Sequence, residues 1–328
     1  MRTALIVLLV LLGTFLLFWR LDGALLWRDE CSTANWARWM VEQGYWAPKV
    51  FDGSQLIVQA ADGHDFNSGL TPAMQGWLQF YVAAAAFELL GASTWTARLP
   101  FALVGAICVF VLYRLGVVLF GSGLRPFLMP YLGLLSIYFL SAARQSRYYV
   151  LVVLAASLLF LALCRYLRDP SLASRCSFYA RLGLAGLLLY FSNYLSFAGM
   201  WTSLAVFILL RADKQLTRGF FLLSAAMAPI VAADFGLFHW EFASRWPPPE
   251  QKPLAEIYRH ALINRGRDFW RMTPLVGLIP TAFYLFQRKM GAVPLTAKLP
   301  MAAAALVPLS PVLFGFGCMD VHEAGATL

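Results

Sequence analysis

Nine hydrophobic segments constrain the fold of this chain more than any other feature of its sequence. Most are close to the length of about 17–25 residues that an α-helix needs to cross a bilayer. Because lipid offers the backbone no hydrogen-bond partners, segments of this kind must form helices. The segments are Thr3–Trp19, Ala73–Leu90, Leu99–Phe120, Phe127–Ala142, Tyr149–Leu167, Leu182–Leu210, Gly219–Phe238, Thr273–Phe286 and Leu299–Gly317.

The composition indicates the same class of protein. Hydrophobic residues make up 60% of the chain and charged residues 13%, with a mean hydropathy of +0.65. Soluble domains are about 45–50% apolar and about 25% charged. The net charge of +9 does not indicate nucleic-acid binding, because the lysines and arginines punctuate hydrophobic runs instead of clustering on a polar segment. We therefore predict an all-α, polytopic integral membrane protein.

The distribution of charge predicts the topology. Under the positive-inside rule, the basic connections after Leu99–Phe120, Tyr149–Leu167, Leu182–Leu210 and Thr273–Phe286 lie in the cytoplasm. This requires Leu182–Leu210 to form two short helices that meet at Asn193, and Ala73–Leu90 to lie in the outer interface. The result is about nine transmembrane helices. The inner side then holds 13 of the 26 Lys and Arg residues and two of the 17 acids, a net charge of +11 inside and −2 outside.

This topology leaves two long stretches outside the membrane. Residues 20–98 form a first outer loop that includes the interfacial segment Ala73–Leu90, and residues 239–271 form a second large outer loop. We predict one transmembrane domain over residues 1–328. We expect the chemistry to be built from the outer stretches.

Two adjacent carboxylates, Asp29 and Glu30, directly follow the first hydrophobic segment. Acidic residues at the mouth of a membrane span are costly unless they face water, a partner or a substrate. One interpretation is ordinary interfacial charge, or a pair with Arg28. The long aromatic loop that follows, together with arginines that return to the same side, favours a catalytic role.

The second outer connection carries two arginines, Arg144 and Arg147, followed by Tyr148. Arginines on the outer side oppose the positive-inside trend. They either snorkel to lipid phosphates or bind a phosphate of the substrate through their guanidinium forks. His64 and Asn193 are further candidates for substrate contacts, but a solvated loop for His64 and a helix cap for Asn193 are the favoured interpretations. The five cysteines show no metal-ligand spacing.

Several short motifs follow one another in a characteristic order. They are Leu26-Trp27-Arg28-Asp29-Glu30, Gly69-Leu70-Thr71-Pro72, Leu90-Gly91-Ala92-Ser93, Ala97-Arg98-Leu99-Pro100, Leu119-Phe120-Gly121 and Ala143-Arg144-Gln145-Ser146-Arg147-Tyr148-Tyr149-Val150-Leu151. Over roughly residues 1–215 this order resembles the dolichyl-phosphate-mannose–protein mannosyltransferase and aminoarabinose transferase group of GT-C glycosyltransferases. The resemblance implies juxtamembrane helices in the first outer loop.

The resemblance implies a GT-C-like helical bundle that transfers a sugar from a polyprenyl-phosphate donor to a lipid, glycan or protein acceptor. The expected location is the outer (periplasmic) face of a bacterial inner membrane. The family's catalytic acid matches Asp29, and its arginine-tyrosine motif matches Arg147 and Tyr148. Arg98 belongs to another family motif and joins the substrate-binding candidates. A single general base predicts inversion at the anomeric carbon. A divalent metal is compatible with this chemistry, but the residues do not require one.

The chain also departs from the family pattern. Gln145 stands where many relatives have an acid, and the C-terminal part of the family is short or missing here. An inactive, truncated relative is therefore one alternative. Another is a transporter or flippase for a lipid-linked or anionic solute, because broken helices and embedded charges also suit transport.

The charge asymmetry makes a testable prediction about topology. A reporter fused after Ser54 should be active on the outer side and one fused after Ala173 on the cytoplasmic side, with Ala73–Leu90 not crossing. Reporter-fusion activity in intact cells checks this. A reporter that places Arg144 to Arg147 in the cytoplasm would contradict both the topology and the site.

Overall fold

A computed structural model describes residues 2–211 and 213–236, except for 45–75. All regular structure in these ranges is helical, which confirms the all-α prediction for the described part. There are ten α-helices and two short 3-10 turns: α1 (Arg2–Phe18), α2 (Arg28–Gln43), α3 (Leu78–Leu90), α4 (Thr94–Phe120), α5 (Leu128–Leu135), α6 (Ile137–Ala143), α7 (Tyr149–Arg168), α8 (Cys176–Ser192), α9 (Tyr194–Arg211) and α10 (Lys214–Asp234), with the 3-10 turns at Arg125–Phe127 and Pro170–Ser174.

Three of the described helices, α4, α7 and α10, are long and apolar enough to cross a membrane. The pair α5–α6 counts as a fourth span if the two helices are taken together across their bend. These helices define an integral membrane protein. The total of nine crossings stays a prediction, since the last two predicted segments lie outside the described residues.

The segment predicted as one span over Phe127–Ala142 is broken. The helix direction changes by 69° between α5 and α6. Ser136 is extended at the break, and its hydroxyl accepts a hydrogen bond from the backbone N–H of Phe139 at 3.4 Å, which caps the start of α6. The polar break predicted at Asn193 is present as well, since Asn193 is extended between α8 and α9.

Two helices, α2 and α3, occupy the stretch predicted to hold juxtamembrane helices. At about 1.5 Å per residue, the 13 residues of α3 are too short to cross a hydrocarbon core of about 30 Å. Its buried side chains recur at helical spacing and pack against α2 and α4. The Trp36 and Phe80 rings meet edge to face, with centroids 4.8 Å apart.

Contacts divide the chain into two units. The first comprises residues 1–194 and 212–246, and the second comprises residues 195–211 and 247–328. Within the first unit, α7 packs between α4 and α8, while α1, α5 and α6 contact α4. A buried apolar core contains residues from each of the helices α1 through α7, among them Phe80, Phe101, Leu134 and Leu151. Of the second unit, the structure describes only residues of α9.

Gly76 fixes the start of α3 against the end of α8. A Cβ atom at this position would lie 2.2 Å from the carbonyl oxygen of Phe191 and 2.6 Å from that of Ser192. Only glycine allows the two backbones to come so close. This contact holds the start of α3 next to the junction at Asn193.

Candidate active site

The two adjacent carboxylates lie in the first turn of α2. Asp29 and Glu30 follow Trp27, whose backbone is extended just before the helix. Negative side chains in a first turn are stabilised by the helix dipole. Consecutive side chains on a helix point about 100° apart, so the two acids address different neighbours.

Glu30 forms a buried ion pair with Arg98 of α4. Its side chain has no exposed surface, and that of Arg98 is 10% exposed. Arg98 donates from Nε to Oε1 at 2.8 Å and from Nη2 to Oε2 at 2.7 Å. This two-pronged geometry is the strongest that an arginine and a carboxylate can form, and it neutralises both charges in a buried place.

The remaining donors of Arg98 fasten the turn that follows α1. Nη1 donates to the carbonyl oxygens of Leu21 at 2.7 Å and Ala24 at 2.9 Å, and Nη2 donates to that of Leu25 at 3.1 Å. All five N–H groups of the guanidinium are therefore used. Glu30 in turn accepts the backbone N–H of Ser146 at 2.8 Å. The pair thus joins the turn after α1, the start of α4 and the connection before α7.

Asp29 faces a different arginine and is held more loosely. Arg147 is buried, with its side chain 1% exposed, whereas that of Asp29 is 31% exposed. Nη2 of Arg147 donates to Oδ2 of Asp29 at 3.3 Å, and Nη1 donates to the Asp29 carbonyl oxygen and to Thr33 Oγ1, both at 3.4 Å. These contacts are longer than the usual 2.7–2.9 Å of a charged pair. Asp29 is therefore a water-accessible carboxylate beside a fixed cation.

A layer of buried polar groups lies behind this pair. Thr33 donates to the Asp29 carbonyl oxygen at 3.3 Å, and its hydroxyl lies 3.5 Å from Gln79 Oε1. The same Gln79 oxygen accepts the backbone N–H of Tyr148 at 3.1 Å. The Tyr148 ring centroid is 5.2 Å from the guanidinium carbon of Arg147. Burial raises the pKa of the Tyr148 phenol, so the hydroxyl stays neutral.

Arg144 lies beside the end of α1. Its Nη1 donates to the carbonyl oxygen of Leu16 at 2.8 Å, and its Nη2 donates to those of Trp19 at 2.6 Å and Arg20 at 3.3 Å. A cation that binds the last carbonyls of a helix complements the helix dipole. Burial, followed by the positive charge of Arg98, lowers the pKa of Arg144.

The other predicted site residues have different positions. Asn193 is buried between α8 and α9, near the start of α3 through the Gly76 contact. His64 lies outside the described residues. In the described segments, no group of three His, Cys, Asp or Glu side chains is placed to hold a metal ion.

Three polar residues of the site, Thr33, Gln79 and Ser146, were not among the predicted site residues. Thr33 follows Asp29 by four positions, so helical spacing placed it on the same face. Gln79 is a polar residue within an apolar helix, a pattern that indicates a buried partner. Ser146 acts through its backbone N–H, which leaves no signal in the sequence.

The apolar helices and the ion pairs Glu30–Arg98 and Asp29–Arg147 are those of a membrane protein with a cluster of charged residues between α2, α4 and the connection before α7. No protein-family profile and no curated protein matches the chain. Solved structures do. The crystal structure of ArnT from Cupriavidus metallidurans bound to undecaprenyl phosphate matches with a TM-score of 0.56 and 20% identity, over 95% of this chain and 60% of ArnT.

The apo structure of the same ArnT matches with a TM-score of 0.57 and 20% identity, over 99% of this chain and 62% of that one. The chain therefore shares the fold of these ArnT structures. It spans about three fifths of their length. The likeness concerns the fold alone.

The buried pair makes a prediction about stability. Arg98→Met leaves the Glu30 carboxylate buried without its cation, a change that typically costs about 3–5 kcal/mol. We expect a markedly lower thermal midpoint for the purified protein in detergent.

The matched control is Arg38→Met, which removes an exposed arginine paired with Glu42 on α2. Exposed pairs contribute about 0–1 kcal/mol, so this variant should unfold close to the wild-type midpoint. Equal midpoints for the two variants would show that the Glu30–Arg98 pair does not hold the fold.

Proposed function

We propose that the protein transfers a sugar from a polyprenyl-phosphate donor to an acceptor on the outer face of the membrane. The observation that carries this proposal is the pairing of Asp29, a carboxylate open to water, with Arg147, a buried cation. One group suits removal of a proton and the other suits binding of a phosphate. The ArnT structure, crystallised with undecaprenyl phosphate, supports a polyprenyl phosphate as the lipid carrier.

Asp29 acts as the general base. A hydroxyl or amine of the acceptor attacks the anomeric carbon, and Asp29 takes the proton as the new bond forms. The bond between the anomeric carbon and the phosphate oxygen breaks. The polyprenyl phosphate leaves with the bonding electrons as an anion, so the leaving group needs no acid. A single displacement inverts the anomeric configuration.

Arg147 stabilises the charge that grows on the departing phosphate. Its guanidinium is held from behind by Thr33 and the Asp29 carbonyl oxygen, so little reorganisation accompanies the reaction. The contact of 3.3 Å with the Asp29 carboxylate is long. A phosphate can therefore replace Asp29 as the main partner of Arg147, which leaves the carboxylate available to the acceptor.

Glu30 and Arg98 position these groups instead of contacting the substrate. Glu30 is fully buried, and Arg98 has no N–H left for a ligand. Glu30 also holds Ser146, the residue before Arg147. Tyr148 and Asn193 lie beside the start of α3, and we propose them as further contacts of the substrate. We place this site at the periplasmic side of a bacterial inner membrane, in accordance with the charge asymmetry of the chain.

Incubation of the purified protein in lipid vesicles with a polyprenyl-phosphate sugar, labelled in the sugar, tests the proposal. The label should move to an acceptor, and the product should have the inverted anomeric configuration by NMR. Label that crosses the bilayer while still attached to its lipid would indicate a flippase. Candidate lipid, glycan and protein acceptors are present in the assay. If the label then stays on its lipid and on its original side of the bilayer, both the transferase and the flippase functions are contradicted.

The role of Arg147 predicts a selective defect in donor use. A charged hydrogen bond is worth about 1.5–3 kcal/mol, so Arg147→Ala should lower kcat/KM for the donor by roughly tenfold to a hundredfold. Arg175→Ala is the control, because Arg175 is exposed beyond the opposite end of α7. Steady-state transfer rates with varied donor check this. Equal effects of the two substitutions would show that Arg147 does not bind the donor.

A further inference from the structure

An open groove of about 640 Å³ lies next to the candidate active site, between the end of α1 and α6. Its size falls within the range of about 300–1,000 Å³ that is typical of ligand sites. The turn after α1 forms one wall, and α6 with the residues after it forms the other. None of Asp29, Glu30 and Arg147 lines the groove.

The α6 wall changes from apolar to charged along its length. Ile137 and Leu140 come first, and Ser141, Arg144 and Gln145 follow. These positions recur at intervals of three and four residues, so they share one side of the helical turn. The opposite wall likewise combines an apolar residue, Trp19, with a charged one, Arg20. A wall of this kind matches a molecule with an apolar chain and an anionic head.

Two cations line the polar part without a carboxylate partner. The ion pairs of the described residues involve Arg38, Arg98 and Arg147 only, so neither Arg20 nor Arg144 pairs with a described acid. Arg98 also lines the groove, but Glu30 neutralises its charge and its N–H groups are all used. An anion in the groove would relieve the repulsion between the two remaining cations, Arg20 and Arg144.

The backbone of Arg20 is held in a strained conformation at this place. Its φ angle is +49°, in the left-handed region that a residue other than glycine seldom adopts. The Arg20 carbonyl oxygen accepts hydrogen bonds from the backbone N–H of Gly23 at 3.0 Å and from Arg144 Nη2 at 3.3 Å. Strain that the surroundings maintain is concentrated at ligand sites.

We propose that this groove binds the headgroup of an anionic phospholipid, with its phosphate between Arg20 and Arg144 and its acyl chain along Ile137 and Leu140. The lipid is separate from the sugar donor, whose phosphate belongs at Arg147. The apolar half of the wall distinguishes a lipid from free phosphate, since inorganic phosphate makes no use of Ile137 and Leu140. The site does not depend on sugar transfer by the protein.

Native mass spectrometry of the full-length protein in detergent, titrated with dioleoylphosphatidylglycerol or dioleoylphosphatidylcholine, tests the proposal. Phosphatidylglycerol should bind in preference. Arg20→Gln should weaken its binding by about tenfold, since one charged contact is lost. The control Arg38→Gln, on an exposed arginine of α2, should bind like the wild type. Equal binding of the two lipids, or no effect of Arg20→Gln, would overturn the proposal.

Ile137→Gln and inorganic phosphate separate the two possible sources of the anion. Ile137 is 75% exposed, so the substitution should leave the fold intact while it weakens phosphatidylglycerol binding. If inorganic phosphate at an equal concentration displaces the lipid and Ile137→Gln has no effect, the groove is a site for free phosphate and the lipid proposal is wrong. Because the assay needs no turnover, its result is independent of the proposed transferase activity.

Discussion

The ion pair between Glu30 and Arg98 is the interaction on which the arrangement of α2, α4 and the connection before α7 depends. Two buried charges next to a membrane are tolerated only when they neutralise each other and their remaining hydrogen bonds are made. The pair meets both conditions and uses every donor of Arg98. It thereby fixes three segments that are far apart in sequence: the turn after α1, the start of α4 and the connection before α7.

This constraint separates the roles of two neighbouring carboxylates. With Glu30 committed to the interior, the helical turn directs Asp29 away from it, towards Arg147 and water. The backbone N–H of Ser146 binds Glu30, so the next residue, Arg147, is positioned by the same pair that orients Asp29. The fully hydrogen-bonded Glu30–Arg98 pair therefore positions the looser Asp29–Arg147 pair. In the looser pair, Arg147 is suited to exchange Asp29 for a phosphate.

The sequence predicted the helices well because hydropathy is a local property of each segment. It also predicted that Asp29 and Arg147 share one side, since charge asymmetry decides the side of each connection. It did not predict that Arg98 pairs with Glu30, 68 residues away, or that Arg144 binds the last carbonyls of α1, because such partners depend on how helices pack. The bend at Ser136 was missed for a related reason, because a single serine in an apolar segment is also compatible with a continuous helix.

The central claim is that Asp29 acts as the general base, whereas Glu30 stabilises the fold through its ion pair with Arg98. It is tested most directly by measuring sugar transfer and thermal midpoint together for Asp29→Asn and Glu30→Gln. Asp29→Asn should keep the wild-type midpoint and lose transfer by at least about a hundredfold, the usual effect of removing a general base. Glu30→Gln should lower the midpoint. Near-normal transfer by Asp29→Asn, together with an unchanged midpoint for Glu30→Gln, would contradict the account.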